Sequence, residues 1–324
     1  MTARPRVVVT RRLPGAVEEA LRERFDAVLS SEDEPLDAGG LQRALGEGDA
    51  VLCTVTDRIT AEVLAAYPLR ARILANFGVG TDNIDLDAAA AHGIVVTNTP
   101  DVLTDDTADL AMTLVLMTLR RAGEGERQLR GGRWRGWRPT HLMGRQVTGR
   151  TLGIVGLGRI GRAVAARAYR GFGMRVLGWG RTMPDAATLA ELGVEPVRSL
   201  EALLSASDIV SLHVPGTDET AGMINARALA LMPPGAFLIN TARGNVVDTD
   251  ALIASLLAGH LAGAGLDVYP REPEVDRRLL GMEQVTLMPH LGSATREGRE
   301  AMGFRALANL EAFFEGRDPG DRVR

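Results

Sequence analysis

The sequence predicts an α/β protein built from two doubly wound parallel-sheet domains. Short β-branched runs alternate with helix-length patterns in two separate stretches, before residue 100 and after residue 150. Strands joined by helices of that length pair in parallel, because each return to the sheet needs a crossover. A glycine-rich segment, "GLGRIG", opens the second stretch, and 324 residues with 45% hydrophobic composition suffice for two cores of ordinary size.

In the first stretch "RVVVT", "AVLCTV", "ARILANF" and "GIVVTNT" read as strands, with "AVEEALRERF" as the first helix between them. After Pro100, "DVLTDDTADLAMTLVLMTLRR" has a Thr/Asp-rich start and an apolar continuation, which predicts a capped, mostly buried helix of about twenty residues. Residues 120–150 break the rhythm with nine arginines, several glycines and two tryptophans. The second sheet is expected from "TLGIV", "RVLGW", "DIVSLHV", "AFLINT", "GAGLDV" and "VTLMPH", and "GSATREGREAMGFRALANLEAFFEG" reads as a final amphipathic helix.

Composition narrows the chemistry. The chain has no lysine, so all 37 basic residues are arginine. A Schiff-base enzyme, a lysine general base and a phosphate-loop kinase are thereby excluded, since each needs an ammonium group. Cys53 is the only cysteine, which excludes an internal disulfide. The apolar runs fall short of the roughly 18 residues that cross a bilayer, and "MTARPRVVVT" lacks the apolar core of a secretory signal. No membrane association and a cytoplasmic location are expected. The arginine cluster raises nucleic-acid binding, but a net charge of -4 and the lack of a recognised module argue against it.

"TLGIVGLGRIGRAVAARA" sets Gly156, Gly158 and Gly161 between a strand and an alanine-rich helix. The first glycine allows the tight turn, the second admits the pyrophosphate close to the backbone, and the third lets helix and strand pack. In that context the pattern indicates a dinucleotide site. The next strand ends in "VLGWGRT", where an Asp or Glu for the adenosine ribose is usual and Gly180 stands instead. Arg181 can grip a 2′-phosphate with a charge-assisted pair and Thr182 can add a hydroxyl, which favours NADP(H) over NAD(H).

Polar groups follow three later strands: Arg243 in "LINTARGNVVD", Asp267 and Glu272 in "AGLDVYPREP", and His290 in "VTLMPHLGSAT". Ligands of open α/β sheets bind beyond the carboxyl ends of strands. Arg, Glu and His delivered there suit hydride reduction of a 2-keto acid. His290 supplies the proton with Glu272 favouring its charged form, and Arg243 holds the carboxylate and polarises the carbonyl. His92, His141 and His260 read as helix-end or arm residues, and His213 as a strand-end residue.

These motifs, with "NFGVGTDNID" and "TPDVLTDDTADL", resemble the D-2-hydroxyacid dehydrogenase family, most of all its glyoxylate and hydroxypyruvate reductase branch. The resemblance spans nearly the whole chain. It implies a flavodoxin-like substrate domain, residues 1–98 plus 291–324, and a Rossmann nucleotide domain, residues 99–290, with the active site in the cleft between them. It gives Arg243, Glu272 and His290 the catalytic positions. It assigns the substrate carboxylate to backbone N–H groups of Val79 and Gly80, with Arg243. Phosphite dehydrogenases, similar in fold, carry a lysine where Val79 stands.

The implied cofactor set begins with Thr107, near the nicotinamide, and the loop Gly156, Leu157, Gly158, Arg159, Ile160 and Gly161. Arg181, Thr182, His213, Pro215, Thr241, Ala242, Arg243, Asp267, His290 and Gly292 complete it, Asp267 facing the carboxamide. No metal is expected. Residues 120–150 correspond to an arm that embraces a second subunit, implying a homodimer, with His141 where some members place a partner tryptophan. The same fold also serves dinucleotide-sensing corepressors and dehydrogenases for larger substrates, the alternative readings.

Overall fold

The computed structural model describes residues 4–65 and 68–323. The chain forms two compact units, Met1–Leu103 with Ala294–Arg324, and Thr104–Ser293.

The first unit contains β1 (Arg6–Val9), α1 (Gly15–Arg24), β2 (Asp26–Val28), α2 (Ala38–Glu47), β3 (Ala50–Thr54), α3 (Ala61–Ala65), β4 (Ile73–Phe77), α4 (Leu86–Ala91) and β5 (Val95–Thr97). The strands form one parallel sheet in the order β2-β1-β3-β4-β5. Every residue of β4 is buried, as a central strand covered by helices on both faces requires. Asp37 and Asp85 cap α2 and α4 by accepting the Gly40 and Ala88 N–H groups.

The second unit opens with α5 (Thr104–Leu119) and α6 (Ala122–Arg130). The helix expected over this stretch is present and runs for 16 residues, and Arg121, with a φ of 53°, turns the chain into α6 beyond it. After the arginine-rich segment come β6 (Thr151–Val155), α7 (Arg159–Phe172), β7 (Arg175–Trp179), α8 (Ala186–Leu192), β8 (Val194–Pro196), α9 (Leu200–Ala206) and β9 (Ile209–Leu212). Next are α10 (Ala226–Leu231), β10 (Ala236–Asn240), α11 (Thr249–Leu257), β11 (Leu261–Leu266), α12 (Arg277–Leu280) and β12 (Val285–Leu287). The sheet is parallel, ordered β12-β11-β10-β9-β6-β7-β8, so the strand order reverses between β9 and β6. One face packs Leu203, Leu212, Leu238 and Leu252, the other Leu114, Val164, Ile154 and Ile239.

β2 and β8 are edge strands of three residues, and both escape the sequence reading because an edge strand can stay polar. Along that edge Arg175 pairs with Glu195 at 2.6 Å. Arg167 of α7 reaches Asp105 and Asp109 of α5 at 2.9 and 2.6 Å. α13 (Arg296–Phe314) belongs to the first unit, where it covers β4 and α1 with Met302, Ala306, Leu307 and Leu310 buried.

Two helix glycines should respond oppositely to the same change. A Cβ on Gly303 would overlap Val17 of α1, whereas one on exposed Gly171 meets nothing within 4 Å. Gly303→Ala should therefore lower the urea midpoint, costing about 1–3 kcal/mol. Gly171→Ala should raise it by roughly 0.5–1 kcal/mol. Equal shifts in one direction would contradict this packing.

Candidate active site

The dinucleotide loop joins β6 to α7. Gly156 has a φ of 97°, and a Cβ there would lie 2.6 Å from the His213 carbonyl oxygen at the end of β9. A Cβ on Gly161 would overlap the Gly156 carbonyl oxygen, so the helix can approach the turn only without one. Around Gly158 there is open space, and no side chain caps α7. The first N–H groups of that helix thus face outward with the positive end of its dipole, as an anion site needs.

Several cofactor-set residues gather beside this loop. A Cβ at Gly180 would sit 3.5 Å from the Leu157 nitrogen, in ordinary contact. The His213 N–H donates to the Val155 carbonyl at 2.8 Å, and its Nε2 lies 2.8 Å from Ser211 Oγ. Burial lowers the His213 pKa to about 4, so the ring is neutral at physiological pH. Thr241 Oγ1, at the end of β10, is buried and without a hydrogen-bond partner among the described residues. An outward-facing helix terminus, a Cβ-free turn and an orphaned hydroxyl fit a dinucleotide. Arg181 instead turns to Glu219 at 3.0 Å, both well exposed, with Thr182 exposed beside it. Pro215 lies in the same loop as Glu219 and accepts from Thr220 Oγ1.

The second cluster stands at the ends of β10, β11 and β12. His290 Nδ1 lies 2.6 Å from Glu272 Oε2, while Glu272 Oε1 accepts the Tyr269 N–H at 2.9 Å. Burial pushes the Glu272 carboxyl up, but these bonds and the charges of His290 and Arg243 prevail and hold it below its usual range. Glu272 is therefore a carboxylate at neutral pH, hydrogen-bonded to His290 and within the field of Arg243. The backbone of Arg243 is tied down by Asn240, whose Nδ2 donates to the Arg243 carbonyl at 2.9 Å and whose Oδ1 accepts the Ala242 N–H at 2.9 Å.

Asp267 is 1% exposed. Its two oxygens accept the Leu291 and Gly292 N–H groups at 2.7 and 2.9 Å, and its carbonyl accepts the His290 N–H at 2.9 Å. Thr107 Oγ1 donates to the Gly292 carbonyl at 3.0 Å. Burial raises the Asp267 carboxyl above its usual range against the pull of these donors. Tyr269, which donates its hydroxyl to the Met288 carbonyl at 2.8 Å, is pushed up to about 12 by burial and by Asp267 and Glu272.

Val79 and Gly80 belong to the first unit, in the turn after β4. Sequence reasoning missed Ser211, Glu219 and Tyr269; their partners are set by the fold, and only proximity to the motifs marks them. His141 Nε2 is held 2.6 Å from Gln128 Oε1. Among the described residues no group of three or more His, Cys, Asp or Glu could hold a metal ion, and no helix is long and apolar enough to cross a membrane.

A doubly wound sheet whose order reverses at such a glycine loop, with charged groups beyond its neighbouring strands, is the build of an NAD(P)-dependent oxidoreductase. Residues 112–292 match the family described as D-isomer specific 2-hydroxyacid dehydrogenase, NAD binding domain. The glyoxylate reductase of Thermococcus kodakarensis is 48% identical over 98% of this chain and 95% of its own. That of Pyrococcus furiosus is 45% identical over 98% and 94%. An NADPH-dependent glyoxylate/hydroxypyruvate reductase from Sinorhizobium meliloti, solved with NADP and malonate, superposes with a TM-score of 0.86. It is 38% identical and covers 99% of this chain and 97% of its own. The chain belongs to the D-isomer specific 2-hydroxyacid dehydrogenase family.

The neutral His213 makes stability depend on pH. The unfolded chain protonates this imidazole near 6.5, the folded chain only near 4. The difference leaves stability intact above 6.5 and removes it as pH falls towards 4. Between pH 7.5 and 5, urea denaturation should show a smaller loss for His213→Gln than for the unaltered chain. Identical losses would assign the charge change to another group.

Proposed function

We propose that this protein reduces a small 2-keto acid, glyoxylate or hydroxypyruvate, to the D-2-hydroxy acid, with NADPH as the preferred cofactor. One observation carries the reading: a histidine hydrogen-bonded to a carboxylate at 2.6 Å, with the charge of Arg243 acting on the same carboxylate, in the unit that bears the dinucleotide loop. The activities named for the archaeal and Sinorhizobium relatives support the choice of substrate.

When bound, the reduced nicotinamide supplies a hydride to C2 of the keto acid. His290, oriented through Nδ1 by Glu272, gives a proton from Nε2 to the carbonyl oxygen. Glu272, a carboxylate at neutral pH, balances the charge of the imidazolium. Arg243 keeps its charge throughout, holding the substrate carboxylate and countering charge on the carbonyl oxygen. The Val79 and Gly80 amides receive the other side of that carboxylate. Asp267 holds the His290 turn and faces the carboxamide.

The loop Gly156–Gly161 and the start of α7 hold the pyrophosphate, and Thr107, His213, Thr241, Ala242 and Gly292 line the remainder. Arg181 reaches the 2′-phosphate after leaving Glu219, an exposed pair of small worth. Residues 120–150 serve as a dimer arm: Trp134 and Trp137 are 51% and 82% exposed, beside exposed Leu129 and Met143. A homodimer in the cytoplasm completes the reading.

Initial rates on a panel of 2-keto acids with each cofactor test the function. Glyoxylate or hydroxypyruvate with NADPH should give the highest kcat/KM, and a tenfold preference for NADH would sink the cofactor assignment. Arg181→Ala should weaken NADPH binding by about tenfold and leave NADH nearly unchanged, as loss of a charge-assisted pair implies. In His290→Ala, reduction should drop roughly 10²–10⁴-fold with NADPH affinity retained. Wild-type turnover in that variant would remove His290 from the chemistry.

A further inference from the structure

The turn after β4 has every carbonyl held from the protein side. The Thr99 N–H donates to the Gly78 carbonyl at 3.0 Å. Asn98 Nδ2 donates to the Val79 carbonyl at 2.8 Å, and Asn76 Nδ2 to the Gly80 carbonyl at 2.8 Å. In a trans peptide the N–H points opposite to the C=O. Anchoring the Gly78 and Val79 carbonyls therefore aims the N–H groups of Val79 and Gly80 away from those anchors. Neither N–H meets an acceptor among the described residues. Two adjacent amides so presented form an anion-binding concavity.

Asn98 acts on the Val79–Gly80 peptide itself. A donor on a carbonyl polarises that peptide and strengthens its N–H as a donor, here that of Gly80. Water could satisfy the carbonyls of a solvent-facing turn, so three protein donors on consecutive carbonyls fix orientation as well as satisfy hydrogen bonds.

Asn98 is in turn clamped by the carboxy-terminal segment. Its N–H donates to the Asp321 carbonyl at 3.2 Å, and its own carbonyl accepts from Asn309 Nδ2 at 3.3 Å. The Val323 N–H donates to the Val96 carbonyl at 2.8 Å, and Thr97 and Arg322 form an antiparallel bridge. Arg305 grips the Asp321 carboxylate through two bonds of 2.6 and 2.7 Å.

We infer that Asn98 is a positioning residue for the substrate carboxylate, orienting and polarising the Val79–Gly80 peptide, and that Asp321–Val323 holds Asn98 in register. The inference rests on the proposal above that these two amides receive the keto acid.

Asn98→Asp keeps the shape and removes the donor, while Asn98→Ala removes the side chain. In each, KM for glyoxylate and the Kd of oxalate, a non-reacting dicarboxylate, should rise about fivefold or more, as loss of one hydrogen bond implies. kcat should change less than about twofold and NADPH affinity not at all. Asp should be the more severe, because it sets a negative charge against the carbonyl oxygen. Unchanged oxalate affinity in either folded variant overturns the inference. Parallel losses of oxalate and NADPH binding do so too, marking Asn98 as merely structural. Amide hydrogen exchange separates this from the underlying reading and uses the unaltered chain as reference. Oxalate that fails to slow exchange of Val79 and Gly80 there refutes the reading, and the inference with it. Slowing of equal size in the chain with and without the Asn98 change refutes the inference alone.

Discussion

The Asp267 carboxylate, buried at the end of β11, is the interaction on which the proposed reaction centre depends. Both of its oxygens are occupied by consecutive N–H groups, those of Leu291 and Gly292. The preceding residue, His290, holds a φ of 55°, a conformation that costs a non-glycine residue roughly 1–3 kcal/mol unless its surroundings impose it. Two charge-assisted bonds in a buried setting impose it. The imidazole then emerges where Glu272 meets Nδ1, so the carboxylate next to the histidine ring and the one beneath its backbone divide the work of aiming and of charge. Thr107 extends the same turn to the first helix of the unit through Gly292.

Glycine spacing does comparable work at the dinucleotide loop. A single methyl at Gly161 or Gly156 would collide with backbone, and the collision partners, the Gly156 and His213 carbonyls, directly follow the two strands where sheet order reverses. The loop is therefore shaped by contacts inside the protein before any ligand arrives. Preorganisation of this kind reduces the ordering that binding would otherwise require.

Much of this was legible in the residue order, and the exceptions share a cause. The central strands announced themselves because burial on both faces demands continuous apolar runs, as "ILANF" and "AFLIN" show. Asp26–Val28 and Val194–Pro196 did not, since an edge strand needs neither length nor apolarity. α6 has no buried residue, so no apolar period betrays it. Residue types at the site were readable, as histidine, glutamate and arginine after successive strands. Their pairings were not: Arg181 and Glu219 are 38 positions apart, Asn98 and Val79 are 19 apart, and only the folded sheet makes them neighbours. The two carboxylate oxygens of Asp267 could be assigned partners only once the turn at 290–292 had a conformation.

The absence of lysine reaches beyond the reaction classes it excludes. The cations facing Glu195, Asp105, Asp109 and Asp321 are guanidinium groups, which stay protonated far into alkali where ammonium groups would discharge. The pairs along the β7–β8 edge, between α5 and α7, and at the carboxy-terminal clamp thus keep their attraction through the range in which lysine-rich proteins lose theirs. In the interior, burial pushes the Cys53 thiol up and Tyr269 to about 12, so these groups too stay uncharged in moderate base.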